Sequence, residues 1–213
     1  MLGIRTGAMT WSGNELRAQV TKASRGLGFD WGRAKYLGES VLRAERHGLP
    51  ATQTFIELAE SLDTGPSKLS TSTFFQGTAM AMDAVDLGIT LVDHLPQLDL
   101  ADPIELHVIG YPLFLGIVCY GLTGSDRALC VETDAFQCVV QANQITTSST
   151  PPSQGVCRLS HCLPAQSSCS WVSRFELESA VCEQLNDLAS RVYAPATEAS
   201  RLAGAGAGLN DND

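Results

Sequence analysis

The C-terminal end of the sequence combines residue types that suit a small-molecule site. Alternating Gly and Ala over 203–208 let the backbone approach a ligand closely and turn its amides toward an anion. Arg201 adds a fork of hydrogen-bond donors, and the last acidic residues add oxygen ligands of the kind that Mg²⁺ or Ca²⁺ prefers. Composition alone favours a disordered tail instead, because Gly-rich termini are generally mobile. The predicted ligand-binding residues of this segment are Ser200, Arg201, Gly204, Gly206, Gly208, Asp211, Asn212 and Asp213.

Positive charge is concentrated at the opposite end of the chain. Residues 1–50 contain eight Lys or Arg and four Asp or Glu, a balance of +4, which leaves six Lys or Arg and 19 Asp or Glu, or −13, for the rest. A basic helical layer that packs on an acidic body explains this asymmetry without a ligand. The alternative is an anionic small-molecule site walled by Arg17, Lys22, Arg25 and Arg33. Arg25, Trp31 and Arg33 are the predicted ligand-binding residues here.

Charge and hydropathy exclude two classes of partner. The net charge of −9 argues against a nucleic-acid partner, because phosphate binding depends on clustered Lys and Arg. The longest apolar region, Tyr111–Tyr120, is broken by Pro112 and Gly116 and is shorter than the roughly 20 residues that span a bilayer. Met1–Ser12 has no apolar region of a secretory signal. We therefore expect a soluble, cytoplasmic protein with no nucleic-acid and no membrane partner.

The cysteines have no spacing typical of a metal site. Their gaps include no C-x-x-C, and no His follows at zinc-finger spacing. Since we expect a reducing compartment, most of them are predicted to be thiols. A zinc site from Cys157, His161, Cys162 and Cys169 is an alternative. The seven cysteines are Cys119, Cys130, Cys138, Cys157, Cys162, Cys169 and Cys182.

The histidines and paired carboxylates are weak catalytic candidates. His47 and His94 are predicted to lie at helix ends, where a partial positive charge is favourable. His107 shares a predicted strand face with Glu105 and is the one acid or base candidate among the histidines. Asp83 and Asp86 are three residues apart on a predicted helix, as metal ligands are, although a solvated acidic face is the simpler interpretation. No nucleophile-elbow, phosphate-loop, dinucleotide or zinc-protease motif occurs in its proper context, so the catalytic residues and cofactors are unknown.

Residues 1–96 have the pattern of a mostly helical region. Ser12 and Glu15 form a predicted capping box that starts the first helix, and Asp30 is the predicted N-cap of the second. The second helix should end near His47-Gly48-Leu49-Pro50. A third, shorter helix carries Phe55, Leu58, Ala59 and Leu62.

The rest of this region is predicted to be a loop followed by a fourth helix. Asp63 to Gly77 is rich in Thr, Ser, Gly and Pro, which favours a loop or lid. Thr78 to His94 shows apolar residues at helical spacing, and Pro96 follows.

From residue 102 to residue 160 the pattern is typical of an antiparallel β-meander. Period-two alternation begins at Ile104, and Leu113 to Tyr120 is predicted to be a second, fully buried strand followed by a turn at Gly121 to Asp126. A hairpin follows, and Thr146 to Gln154 is a predicted loop before the last strand. The remaining predicted strands are Ala128 to Glu132, Phe136 to Gln141 and Val156 to Leu159.

A second capping box, Ser173 to Glu176, is predicted to open a core helix over 173–193. Pro195 ends this helix, and 194–213 is the Gly-rich tail. The whole chain, 1–213, is therefore predicted to be a single α+β domain in which an antiparallel β-meander packs against a helical layer.

Three segments resemble a bacterial family known only as domain of unknown function 3726. They are Ser24–Gly32, Gly48–Pro50 and the tail from Tyr193 through Pro195, Ser200-Arg201 and Gly204 to Asp213. The resemblance covers essentially the whole chain and is most specific at its two ends. The resemblance implies a bacterial, cytoplasmic, single-domain protein. It implies no activity and no catalytic residue. Because the tail is part of the resemblance, it favours an ordered tail over a disordered one.

Two functions are compatible with these patterns. The first is a protein that binds or transforms a small anionic metabolite between the tail and the basic helical layer. The second is a non-catalytic partner or assembly subunit, in which the tail and the Trp31 region dock onto a metabolic enzyme or a second copy of this chain.

Overall fold

The structure is a computed structural model that describes residues 8–63, 84–94, 100, 103–120, 128–141, 144–163 and 171–193. In this part of the chain, helices combine with antiparallel sheets, which confirms the predicted α+β class. In chain order the elements are β1 (Ala8–Ser12), α1 (Gly13–Gly26), α2 (Trp31–Arg46), α3 (Ala51–Asp63), α4 (Ala84–His94), β2 (Ile104–Gly110), α5 (Pro112–Cys119), β3 (Ala128–Glu132), β4 (Gln137–Gln141), β5 (Gln144–Thr147), β6 (Gln154–Cys162), β7 (Arg174–Glu178) and α6 (Ser179–Ser190).

The larger sheet has five antiparallel strands in the order β2-β6-β3-β4-β5. Strands β3, β4 and β5 follow one another as a meander, and β6 lies between β2 and β3. The predicted strands at Ile104, Ala128, Phe136 and Val156 are confirmed, with small shifts of their ends. The predicted loop from Thr146 is wrong in its first residues, because β5 pairs with β4, where Val139 faces Thr146.

The apolar run after Tyr111 is a helix, so the strand predicted over Leu113 to Tyr120 is wrong. Every residue of α5 is buried, and a run that is apolar on all sides has no periodicity that separates strand from helix. Pro112 occupies the first turn, a position that favours a helix start. A Cβ added at Gly116 would lie 2.5 Å from Cys138 Sγ, so this glycine lets α5 pack directly on β4.

A two-stranded antiparallel sheet joins the two ends of the described chain. Strand β1 pairs with β7, and Trp11 faces Phe175. The capping box and helix start predicted at Ser173 to Glu176 are therefore wrong, since this segment lies partly in β7 and α6 begins at Ser179. Buried Phe175 and Leu177 alternate with exposed neighbours, and β1 supplies hydrogen-bond partners that a local cap cannot match.

The helical layer confirms the other predicted helix starts. Ser12 N–H donates to Glu15 Oε2 over 2.8 Å, and Glu15 N–H donates to Ser12 Oγ over 3.3 Å, which completes the capping box of α1. Asp30 caps α2 by accepting from Arg33 N–H over 2.9 Å. Helices α1 and α2 cross closely at Gly38, where an added Cβ would lie 2.3 Å from Thr21 Oγ1.

Several predicted features lie outside the described residues. They are the loop after Asp63, residues 78–83 of the fourth predicted helix, the turn Gly121 to Asp126 and the tail 194–213. The described end of that fourth helix is α4. Among the helices of the described ranges, none has the length and apolar character needed to cross a membrane.

Candidate functional site

The N-terminal end of α2 brings together the three predicted site residues that the structure describes. Arg25 lies in the last turn of α1, Trp31 is the first residue of α2, and Arg33 follows within the first turn of α2. Whether the tail meets them stays a prediction, because the predicted tail residues Ser200, Arg201, Gly204, Gly206, Gly208, Asp211, Asn212 and Asp213 lie outside the described part of the chain.

Arg25 closes the connection between α1 and α2. Its guanidinium lies over the Trp31 ring, 4.9 Å from the ring centroid, and its Nη1 donates to the carbonyl of Phe29. The Trp31 side chain nevertheless remains 63% exposed. Arg25 therefore has local structural partners on both sides of the turn.

The charge of Arg33 is compensated by two carboxylates. Its Nη1 lies 3.2 Å from Asp86 Oδ1 on α4, and its Nε lies 3.5 Å from Asp30 Oδ2. The N–H group of Arg33 also donates to Asp30 and lowers the pKa of that carboxyl. Asp86 thus pairs with an arginine, while Asp83, its predicted companion, lies outside the described residues.

Arg17, another wall of the predicted anion site, is paired in the same way. Its Nη1 lies 2.7 Å from Glu39 Oε1. Two of the four predicted basic walls are therefore neutralised by carboxylates within the helical layer.

A cleft of about 300 Å³ opens between the start of α2 and α4. Tyr36 and Ile89 supply its apolar wall. The Tyr36 hydroxyl donates to the carbonyl of Val118 over 2.5 Å, and burial raises the pKa of this tyrosine to about 12, so it is neutral at pH 7. The cleft is lined by Asp30, Gly32, Arg33, Tyr36, Ile89 and Asp93, two carboxylates against one guanidinium.

The C-terminal end of α2 has the opposite electrostatic character. Arg43 and Arg46 lie in the last turn, and His47 is the C-cap, as its predicted place at a helix end requires. Arg43 lies over the Tyr120 ring at 5.9 Å, and Arg46 lies over the Trp171 ring at 5.2 Å. We call these five residues, Arg43, Arg46, His47, Tyr120 and Trp171, the Arg-aromatic cluster.

Hydrogen bonds hold the rings of the Arg-aromatic cluster in place. His47 Nε2 and the Tyr120 hydroxyl lie 2.7 Å apart, and their ring centroids are separated by 5.4 Å. The His47 and Trp171 rings meet edge to face at 5.8 Å. Val172 N–H donates to the carbonyl of Arg46 over 3.1 Å, which ties the chain beside Trp171 to the end of α2.

Charge in the Arg-aromatic cluster is not balanced by acidic groups of the described residues. Neither Arg43 nor Arg46 forms an ion pair there. Burial lowers the pKa of His47, so at pH 7 the positive charge comes from the two guanidinium groups. Such an arrangement can hold a carboxylate or phosphate through paired N–H donors and a planar ring through stacking.

Three distant segments build this cluster. Tyr120 directly follows α5, and Trp171 lies just before β7. The predicted place of His47 at a helix end is confirmed, whereas no sequence pattern predicts the other four residues as site residues. The sequence does contain one local signal for the site, a pair of arginines just before a predicted helix end. Basic residues at a helix C-terminus also stabilise the helix itself, so this signal does not distinguish a binding site.

The cysteines of the described ranges are free thiols, as predicted. They are mostly buried, and burial raises the pKa of Cys119 to about 12, which makes a thiolate nucleophile unfavourable there. No group of three or more potential metal ligands occurs among the residues that the structure describes. Cys169, part of the zinc alternative, and the side chain of His107 lie outside them. The described cysteines are Cys119, Cys130, Cys138, Cys157, Cys162 and Cys182.

Comparison with known proteins identifies one family. The model of a family described as "Protein of unknown function (DUF3726)" matches residues 11–93. The match confirms the expected family over these residues, whereas the resemblance of the tail stays a prediction. The matched segment contains both ends of α2 but not Tyr120 or Trp171. The search of curated proteins and the search of solved structures found no match.

Proposed function

Since the chain belongs, through residues 11–93, to the DUF3726 family of proteins of unknown function, we propose its function from its own geometry: it binds a small organic anion that carries a planar ring, at the Arg-aromatic cluster. The observation that carries this proposal is the pair of arginines, Arg43 and Arg46, which lie on aromatic rings without an acidic partner in the described chain. The ligand is still a small anion, as predicted, but the proposed binding site lies at the end of α2 and not at its start.

The two guanidinium groups supply the anion-binding part of the proposed site. Arginine presents a planar fork of donors that matches a carboxylate or phosphate, and its charge is independent of pH in the physiological range. Tyr120 and Trp171 lie beneath these groups and limit their motion. Less conformational entropy is therefore lost when an anion binds, which favours affinity.

Trp171 supplies the surface for the planar part of the ligand. Its side chain is 62% exposed although Arg46 covers it and the neighbouring backbone bonds to α2. A large aromatic side chain that is both fixed and exposed is typical of a stacking surface. The His47–Tyr120 hydrogen bond fixes the opposite side of the cluster.

The placement of an anion beside Arg25, Trp31 and Arg33 also stays a prediction, and it has less support. The carboxylates of Asp30 and Asp86 already occupy Arg33. A ligand anion there must compete with both of them. A bacterial origin and a cytoplasmic location likewise stay predictions.

Benzoate is a suitable probe, because it combines one carboxylate with one ring. We expect it to shift the indole N–H signal of Trp171 saturably in ¹⁵N NMR spectra at pH 7, with the millimolar affinity typical of so small a molecule. Arg46→Ala should weaken this affinity about tenfold, the effect of losing about 1.4 kcal/mol. The signal is assigned with Trp171→Phe.

Arg17→Ala is the matched control, since it removes a guanidinium that is paired with Glu39 elsewhere in the same layer. Its benzoate affinity should equal that of the wild type. Equal weakening in both variants, or no benzoate effect at Trp171, would overturn the proposal. In that second case light scattering of the full chain tests the partner-subunit alternative, which requires an oligomer or a complex.

A further inference from the structure

The cleft at the start of α2 has a different chemistry from the Arg-aromatic cluster. Thirteen residues separate Arg33 from Arg46, so at a rise of 1.5 Å per residue the two places lie about 20 Å apart along the helix. The cleft is concave and its volume of about 300 Å³ accommodates a small molecule. It is therefore a second, independent candidate site.

The charge at the rim of this cleft favours a cation. Arg33 is held by Asp30 and Asp86, so its own charge is compensated. Asp93 lies one turn beyond Ile89 on α4 and forms no ion pair within the described ranges. After burial, its negative charge is one of the smaller causes that raise the pKa of Tyr36. The residues that line the cleft, Asp30 and Asp93 against Arg33, carry a formal charge of −1.

The wall between these charges is apolar and aromatic. Ile89 is half-buried against the core, and Tyr36 is uncharged at pH 7 while its hydroxyl donates to the carbonyl of Val118. An aromatic face attracts an ammonium group electrostatically, in addition to covering an attached hydrocarbon. Gly32 has no side chain that would fill the opening.

We propose that this cleft binds a small molecule with a primary ammonium group on a short apolar body. The ammonium pairs with Asp93 and, at longer range, with the Asp30 carboxylate. The apolar body lies against Ile89 and the Tyr36 ring. A divalent metal fits less well, because Asp30 already accepts from the α2 backbone and few oxygen ligands remain for a metal.

Benzylammonium is the probe, because it has the ring of benzoate with the opposite charge. In ¹⁵N and methyl NMR spectra of the full chain at pH 7, it should shift the Gly32 amide and the Ile89 methyl signals saturably. Asp93→Asn should weaken its affinity about fivefold, and Asp93→Lys should abolish these shifts. Glu183→Gln, an exposed carboxylate of α6, is the control and should bind as the wild type does.

Three results would overturn the proposal. Equal affinity in Asp93→Asn and Glu183→Gln would show that the Asp93 charge is not used. Equal shifts of Gly32 and Ile89 by benzoate would show that the cleft selects rings and not charge. Equal shifts by MgCl₂ would identify a site for inorganic cations. The Trp171 signal reports the proposed anion site separately, so failure of one proposal leaves the other unaffected.

Discussion

The two ends of α2 show how one helix carries two opposite electrostatic surfaces. At its start, Arg33 lies between carboxylates from two elements, and the adjacent cleft is acidic. At its end, Arg43 and Arg46 lie on aromatic rings and have no acidic partner in the described chain. The arginines themselves are alike, so the difference comes from what the neighbouring elements bring to each end.

Helix α4 brings Asp86 to the start of α2, whereas the ends of other segments bring Tyr120 and Trp171 to its last turn. The surplus of positive charge in residues 1–50 therefore does not mark a uniform basic surface. Carboxylates compensate the positive charge at the start of α2, whereas the arginines at its end have no acidic partner in the described chain. Local charge depends on tertiary partners and not on composition along the chain.

The largest expected effect comes from damage to the middle of α2, which both ends share. In Gly38→Val, the added Cβ must move away from Thr21 Oγ1 at 2.3 Å and the Arg17 carbonyl at 2.8 Å. We expect the free energy of unfolding to fall by about 2–3 kcal/mol in urea titrations. Both benzoate and benzylammonium should bind less tightly. The control Lys35→Val lies at an exposed position of α2 and should lower the free energy of unfolding by only about 0.5 kcal/mol. Equal stabilities of Gly38→Val and Lys35→Val would show that α1 and α2 can separate at their crossing without cost.

A smaller effect is expected when the compensated arginine is removed. Arg33→Ala removes the guanidinium that compensates the carboxylates of Asp30 and Asp86 beside the cleft, so benzylammonium should bind about threefold to tenfold more tightly. Benzoate binding at Trp171 should not change. Stability should fall by less than about 1 kcal/mol, because these ion pairs are half-exposed. Loss of benzoate binding in this variant, measured in the same NMR titrations, would instead assign the anion to Arg33 and reverse the comparison.

The smallest effect is a difference in acid sensitivity. Burial lowers the pKa of His47 below 6.5. The contribution of its neutral ring to the free energy of unfolding is therefore complete above pH 6.5 and is lost as the pH falls below that value. The Arg33 N–H bond lowers the pKa of Asp30 below 3.8, so its contribution is lost only below about pH 3.8. His47→Gln should remove the loss of stability between pH 7.5 and pH 5.5. Asp30→Asn should remove the further loss that appears at pH 3.5.

Thermal unfolding by circular dichroism at pH 7.5, 5.5 and 3.5 measures both losses, each expected to be about 3 °C or less in Tm. The comparison is made against the wild type at each pH, because burial raises the pKa of Glu45 and opposes the His47 effect. An unchanged profile in His47→Gln would show that this histidine does not titrate differently on folding.

Local signals predicted the helical layer well. Ser12 and Glu15 cap α1 because all the required groups lie within four residues. The similar pattern at Ser173 predicted a helix and is wrong, because β1, more than 160 positions earlier, pairs with this segment. A local cap at Ser173 and pairing with β1 compete for this segment. The sequence pattern shows the local cap but not the distant strand.

The candidate site shows the same limit. Arg25, Trp31 and Arg33 could be grouped because they are close in sequence, and the structure does place them together. His47 and Tyr120 are 73 positions apart, and α5, which directly precedes Tyr120, was predicted to be a strand. No spacing rule joins such residues, since their meeting depends on how α5 packs.

The pairing of β1 with β7 and the packing of α1 on α6 have a consequence for the order of synthesis. Gln19 Nε2 donates to Asn186 Oδ1 over 2.7 Å, and Gly26 lies directly against the carbonyl of Leu188. The ribosome completes the family-matched segment, residues 11–93, roughly 90 residues before it begins α6. The apolar face of α1 that α6 covers must therefore stay exposed, or shielded by a chaperone, while the sheet is still being translated.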